Sequence, residues 1–480
     1  MPWSEAMAPV RMRRVAVIVP EAALRGSLVR IAEAGCVELD RAEEAAPGAA
    51  AVRLQRMRGG ATRTAPGSVA SAVLAVGAPD LDLLEERNDA GLLAGEAQLE
   101  ELMSGAVRRG EVAALVGWCP AAEVRRVADR LSAAGGTLVP LPSPRGADPP
   151  TLLRSGGSAS FTPLVTTYGT PAYADLDPSW PTGLAYVAMF GMMFGDVGHG
   201  ALLVLGALAL RLGRPRRLAA LRQLWSFLAG AGIAAMVAGA AYGEFFGPTG
   251  LLPVLWLSPL DSPARLLTAA VVFGAGLLTV AHAAGAVNRV REQGWGTALY
   301  AASGWAGLLF YLGLALATAG LLLRWPPATV AGAALGVTGL ALVALGLFRA
   351  TAGGPAGCAE TAVRLFDVVV RAGTNTVSFA RLAAFGLTHA ALADLVWRGT
   401  VGLAGRGGAG VAGAVMLFAV GTALSLALEA LVAGVQALRL EYYELFSRLF
   451  GAEGRPFCPW HVPVAEPADR ATKVIPCSPG

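Results

Sequence analysis

Residues 183–210 read Gly183-Leu-Ala-Tyr-Val-Ala-Met-Phe-Gly-Met-Met-Phe-Gly-Asp-Val-Gly-His-Gly-Ala-Leu-Leu-Val-Leu-Gly-Ala-Leu-Ala-Leu210, and this stretch decides the fold. As one helix it would be ~42 Å long at ~1.5 Å per residue. That is too long for an untilted crossing of a hydrocarbon core ~30 Å thick. Its middle is broken by Gly195-Asp-Val-Gly198-His-Gly200, three glycines around an acid and a histidine. It therefore reads as two short spans folded at the break. Asp196 and His199 are expected to be structural there, satisfying backbone groups that the turn sets free.

Outward from this hairpin lie five plain apolar runs, at 219–242, 265–288, 297–323, 327–348 and 409–438. Segment 356–398 is also long and apolar, but it carries Glu360, Arg364, Asp367, Arg371, Arg381 and His389. Counting the hairpin as two gives eight spans. The arginines test that count, because cytoplasmic loops collect positive charge. With the N-terminus inside, Arg211, Arg214, Arg216 and Arg217 face the cytoplasm, as do Arg289, Arg291, Arg349 and the tail with Arg439, Arg448 and Arg455. A single span at 181–211 would send the four-arginine loop outside. The expectation is an α-helical polytopic membrane protein of about eight spans, the last two long and tilted. It sits in the cell membrane with both termini cytoplasmic.

Composition agrees. The 480 residues are 55% hydrophobic and 15% charged, with mean hydropathy +0.55. Soluble domains carry about 25% charged residues, so an ordinary soluble protein is excluded. A net charge of +4 gives no nucleic-acid signal. The five cysteines (Cys36, Cys119, Cys358, Cys458, Cys477) are scattered, without metal or disulfide spacing. Met1–Val19 holds no signal peptide, its short apolar stretch being interrupted by Arg11, Arg13 and Arg14.

Residues 1–177 read instead as a soluble domain and linker. Arg14–Pro20 is a strand, Glu21–Ala34 a helix with Leu24, Leu28 and Ile31 inward and Gly35 as its stop, and Cys36–Leu39 a strand. A second such unit follows in Val112–Trp118, Ala121–Ala134 and Thr137–Val139. Between them Leu81–Met103 reads as one helix. Residues 142–157 form a linker rich in Pro, Ser and Gly. The domains are thus 1–177 (cytoplasmic α+β), 178–450 (transmembrane) and 451–480 (cytoplasmic tail).

The membrane part carries the chemistry. Stepping by seven along a helix, Glu360, Asp367, Thr374, Arg381 and Thr388 fall in one stripe that drifts ~20° per step. A mid-bilayer arginine costs on the order of 2.5–3.5 kcal/mol, which demands a reason. One reason is a static salt bridge to Asp367 or Glu429; the other is an ion pathway in which Arg381 meets a carboxylate that comes and goes. Glu429 and Gln436 share a face of the last span, which ends at Arg439. Glu429 is either a proton relay or a helix–helix hydrogen bond, and His389 either a relay member or a satisfied interface histidine. Glu244, in Tyr242-Gly-Glu-Phe-Phe-Gly247, closes the third span as a structural group.

Three motifs, Met192-Met-Phe-Gly-Asp-Val-Gly-His-Gly200, Tyr242-Gly-Glu-Phe-Phe-Gly247 and Asn375-Thr-Val-Ser-Phe-Ala-Arg-Leu-Ala-Ala-Phe-Gly-Leu-Thr-His389, resemble those of the rotary V/A-type ATPase membrane subunit called a, or subunit I. The ending Glu429…Leu438-Arg-Leu-Glu-Tyr-Tyr-Glu-Leu-Phe-Ser-Arg-Leu-Phe450…Gly454 resembles its final span and tail. Gly117-Trp-Cys-Pro120, Pro150-Thr-Leu-Leu153, Tyr168-Gly-Thr-Pro171 and Asp177-Pro178 resemble its soluble domain and linker. The resemblance implies that Arg381 is the arginine facing the rotor carboxylate. Asp367, Asn375, His389, Glu429, Gln436 and Arg439 then line or border two ion half-channels, with Asp196, His199 and Glu244 accessory. It implies as partners a rotor proteolipid ring, peripheral stalk subunits, a central stalk cap subunit and lipid. No cofactor and no resident metal are implied.

Two positions depart from the family pattern, Asp367 where glutamate is usual and Phe379-Ala380 where an aromatic–leucine pair is usual. The soluble domain is also short, with little room for the family's long coiled coil. ATP chemistry would belong to other subunits, since the chain lacks a GxxxxGK[ST] phosphate loop. The competing reading, a stand-alone secondary transporter, predicts an internal repeat and a second broken helix, and neither is apparent. A membrane-embedded enzyme finds no Ser/His/Asp or metal constellation in the sequence.

Overall fold

The computed structural model describes residues 8–41, 47–60, 71–143, 148–154, 161–213, 222, 224–351, 353–449 and 454–465. Arg214, Arg216 and Arg217 of the expected arginine loop, parts of the 142–157 linker, and Lys473 and Cys477 lie outside the described residues. The chain divides into two compact units, one of residues 9–152 with the chain from 454 onward, the other of residues 153–453.

The first unit has strands β1 (Met12–Pro20), β2 (Glu38–Leu39), β3 (Leu74–Ala75), β4 (Val107–Arg109), β5 (Val112–Pro120), β6 (Thr137–Leu141) and β7 (Val464–Ala465). Its helices are α1 (Leu24–Ala34), α2 (Ala49–Gly60), α3 (Leu81–Glu86), α4 (Ala90–Ser104) and α5 (Val124–Ser132). An antiparallel sheet runs β2-β5-β1-β6, with β4 also on β5. Both expected strand–helix–strand units are present. Val15, Val17 and Val19 alternate along β1 toward the core. α1 lays Leu24, Leu28 and Ile31 on it and stops at Gly35, whose φ of 58° favours glycine.

The expected helix 81–103 is two helices. Asn88 takes φ 57°, and the carboxylates of Asp80 and Asp89 cap α3 and α4 separately. α2 folds back on this pair around Ala50, Leu84 and Leu93. Among the described residues no long coiled coil projects from this segment. The stretch 454–465 is built into the same unit: β7 pairs with β3, and Trp460 N–H bonds to Val37 O at 2.9 Å. Buried Glu38 accepts the Cys458 N–H (2.9 Å) and pairs with Arg455 (2.6 Å). Burial nevertheless pushes the Glu38 carboxyl above its usual range.

The second unit is helical: α6 (Thr162–Tyr168), α7 (Ser179–Met193), α8 (Val197–Arg211), α9 (Trp225–Tyr242), α10 (Pro263–Gln293), α11 (Trp295–Tyr300), α12 (Trp305–Leu322), α13 (Pro326–Arg349), α14 (Gly354–Ser378), α15 (Ala380–Ala404), α16 (Gly408–Leu440) and α17 (Ser447–Leu449). Among the described residues, six segments are long and apolar enough to cross a membrane, at 225–242, 263–292, 295–322, 326–349, 354–404 and 408–449. The hairpin α7/α8, 15 residues each, lies on either side of the glycine break, as expected. The protein is a polytopic membrane protein.

Two expected continuous helices are interrupted. Run 297–323 breaks at Ala301, where the backbone turns extended (ψ 140°) before α12. Segment 356–398 breaks at Phe379, whose N–H reaches back to Thr376 O and Val377 O; this ring is fully buried and fills the notch left by Gly274 of α10. α12 and α13 pack backbone to backbone, with Gly313 against Gly336 and Gly332 against Ala317.

Candidate functional site

Two separate polar clusters are carried by α15 and α16. The first grows from the glycine break. Asp196 caps α8, its Oδ1 accepting the His199 N–H (2.9 Å) and Phe246 N–H (3.0 Å), its Oδ2 the Gly247 N–H (2.8 Å). It thereby ties the turn to the Tyr242–Gly247 loop. The glycines permit the approach: a Cβ on Gly195 would lie 2.5 Å from the Tyr242 ring, and one on Gly198 2.4 Å from the Phe246 ring. His199 departs from expectation. Buried at 3% exposure, it hydrogen-bonds no freed backbone group through either ring nitrogen, although Nδ1 is 3.1 Å from Asp196 Oδ1.

The His199 ring stands edge-on to His389 of α15, with centroids 5.4 Å apart. His389, 2% exposed, pairs through Nδ1 with Glu429 Oε2 of α16. Its Nε2 and the Glu429 Oε1 have no hydrogen-bond partner. Glu244 is buried with Oε2 unpartnered, within electrostatic reach of Asp196, Asp394 and Glu429. Ligand atoms of Asp196, His199 and His389 all lie within 4.8 Å of one another. The sequence had no means of showing this, because the three residues come from the hairpin and from a helix some 190 positions later.

The second cluster surrounds Arg381, on the first turn of α15. Its Nε donates to Ser378 O (3.0 Å), and its guanidinium is 3.7 Å from Glu444 Oε1, with 25% of the side chain exposed. Neither expected static partner serves it: Asp367 pairs with Arg371 (2.7 Å) and Glu429 with His389. Glu360 likewise pairs with Arg364 (2.5 Å). The seven-residue stripe is thus divided by the break at Phe379, with Glu360, Asp367 and Thr374 on α14, and Arg381 and Thr388 on α15. Arg439 is exposed and within electrostatic reach of Arg381. Gln436 is half-buried with Oε1 unpartnered, and Asn375 is half-buried on α14.

Glu444 and Glu441 are the acids that sequence reasoning missed. Both lie on a wide π-helical turn, Glu441–Phe446, that follows α16. Such a turn shifts the register, so spacing counted at 3.6 residues per turn assigns the wrong face. Glu441 is buried with both oxygens unpartnered.

Residues 102–247 match the model of the V-type ATPase 116 kDa subunit family. The chain is 28% identical over 377 residues to an A-type ATP synthase subunit I of Halobacterium salinarum, covering 64% of this chain and 50% of that protein. It is 26% identical over 372 residues to the subunit of the same name from Thermococcus kodakarensis, covering 72% and 54%. Over 119 residues it is 37% identical to the human V-type proton ATPase 116 kDa subunit a 3, covering 22% and 14%. The chain spans about half the length of the curated relatives it matches over most of its own length. Fold, motifs and matches agree: the chain is similar to the V-type ATPase 116 kDa subunit family over residues 102–247 and to A-type ATP synthase subunits I over most of its length.

Proposed function

We propose that this chain is the stator membrane subunit of a V/A-type rotary ATPase. It forms two ion half-channels against a rotor proteolipid ring and couples proton or sodium translocation to ATP hydrolysis or synthesis on other subunits. The observation that carries the reading is Arg381, held beside Glu444 yet partly exposed, on a helix whose neighbour α16 is itself largely uncovered. Eight residues further along the same helix, ~12 Å away, His389 and Glu429 form a second polar site. Two polar sites with a permanent cation at one of them suit an ion that enters by one path, rides the ring and leaves by another. The cation favours the ionised ring carboxylate, promotes release of its ion, and blocks a direct leak between the paths.

The soluble unit would meet the peripheral stalk and the central stalk cap subunit. Residues 9–152 and 454–465 fold together, so the chain between them returns to the side it left. That supports an even number of crossings, as in the eight-span topology with both termini cytoplasmic, and disfavours the single-span reading of 181–211. A cysteine at exposed Leu212 should then label from the cytoplasmic side alone.

The test of the function is copurification in mild detergent with a proteolipid ring and soluble ATPase subunits, followed by ATP-driven ion uptake in reconstituted vesicles. Purification as a lone chain that transports ions without ATPase partners would instead support the stand-alone transporter.

A further inference from the structure

We propose that Asp196, His199 and His389 form a binding site for a divalent transition-metal ion such as Zn²⁺, with Glu429 orienting His389 from behind. The Nε2 atoms of both His199 and His389 make no hydrogen bond although the rings are buried, and His199 Nδ1 has only Asp196 Oδ1, 3.1 Å away. Buried polar atoms without a partner are costly, so two in one cluster call for a ligand. One cation satisfies both rings at once.

The arrangement is that of a metal site. His389 gives Nδ1 to Glu429 and keeps Nε2 for the ion. This carboxylate–histidine order fixes the ring and strengthens the ligand. Asp196 is locked by three backbone N–H groups, two on Oδ1 and one on Oδ2, so Oδ2 retains a lone pair for monodentate ligation. The donor atoms lie within 4.8 Å of one another. Modest ring rotations bring such donors to the ~3.4 Å spacing of a tetrahedral ion with bonds of ~2.0–2.1 Å. Two imidazoles and a carboxylate suit zinc, copper or nickel better than calcium or magnesium. Charge also fits, since Asp196, Glu429 and nearby Glu244 offer the carboxylates that balance a dication. Glu429 and Asp394, with side chains 14% and 19% exposed, mark the face by which an ion arrives.

Occupation ties up His389, so Zn²⁺ should slow ion translocation. That inhibition rests on the proposed function, whereas the binding does not. The test is equilibrium dialysis of the full chain in mild detergent against Zn²⁺ at neutral pH, with X-ray absorption at the zinc edge. The expected result is one tightly bound zinc with two imidazole ligands. His199→Asn and His389→Asn should each weaken binding by ~100-fold or more, and Glu429→Gln by ~10–100-fold. His282→Asn, on a buried histidine stacked on Tyr311 outside the cluster, should leave binding unchanged. Fewer than two imidazoles around zinc in the unmodified chain, or equal affinity in His199→Asn, overturns the site; the spectrum decides even if the variants misfold. Zinc bound here without slower translocation upholds the site and counts instead against His389 as part of the ion path.

Discussion

In the unit of residues 9–152 and 454–465, buried charge is paired within the chain. Glu96, 3% exposed, receives Arg25 in a two-pronged bridge at 2.6 and 2.7 Å, and Glu38 receives Arg455 and the Cys458 N–H. In the unit of residues 153–453, buried and half-buried acids and imidazoles are left with atoms unpartnered: Asp175, His199, Glu244, Glu292, His389, Glu429 and Glu441. Among the described residues, every buried carboxylate or imidazole atom without a hydrogen bond belongs to this second unit. On the proposed function, the difference separates groups that hold a fold together from groups kept ready for a moving ion. A structural charge is satisfied by its own chain, because an unpaired one is too costly to keep. A charge that must exchange an ion retains an open valence.

The sharpest break in that comparison is Arg381. Arg381→Gln, Arg381→Ala and Arg381→Lys should all assemble yet lose coupled ion uptake in vesicles by ~100-fold or more, as expected when a charge-stabilising donor is removed. Lysine keeps a charge but not the planar fork, and it can lose its proton when desolvated. Retained uptake in the glutamine variant would move Arg381 to the structural side, and so would loss of assembly in all three.

Glu429→Gln should come next, slowing translocation by ~10–100-fold while subunit content stays normal, since an amide keeps the shape but relays no proton. Unchanged pumping across pH would place Glu429 with the paired structural charges.

A smaller effect of the opposite kind is expected in the first unit. Glu96→Ala should destabilise it by ~2 kcal/mol, because it strands Arg25, which keeps only its bonds to Ala75 O and Gly77 O. Thermal unfolding in detergent would register the loss. Ion transport per assembled complex should not change, and a transport defect equal to that of Glu429→Gln would erase the distinction.

The smallest effect concerns pH. The folded Glu38 carboxyl holds its proton to higher pH than the unfolded one. The folded state therefore binds more protons between the two values, and stability falls as pH rises out of the ordinary carboxylate range. Glu38→Gln should flatten that fall, as followed by the fluorescence of nearby Trp118 and Trp460.

Much of the fold was legible. Apolar runs longer than a bilayer requires have few alternative uses, so the spans appeared at nearly their observed bounds. The hairpin at Gly195–Gly200 was readable because a glycine cluster inside an apolar run has no helical purpose. The split at Asn88–Asp89 carried a signal in its own capping residue, which the apolar pattern on both sides overrode. The break at Phe379 carried none, because it depends on the notch left by Gly274 of another helix.

By itself, the sequence determined the membrane class and the two strand–helix–strand units, and singled out Arg381, Glu429 and His389 as candidates. Each of these is a local property: length, periodicity, or a charge where water is scarce. Only the tertiary structure decided the partners. It joined His389 to Glu429 and set both beside Asp196 and His199, gave Arg381 the company of Glu444, and folded residues 454–465 into the unit that begins near residue 9. The physical reason is that a side chain's partner is fixed by helix packing and register. A notch of one glycine or a single π-turn changes which faces meet without leaving a mark in the hydrophobic pattern.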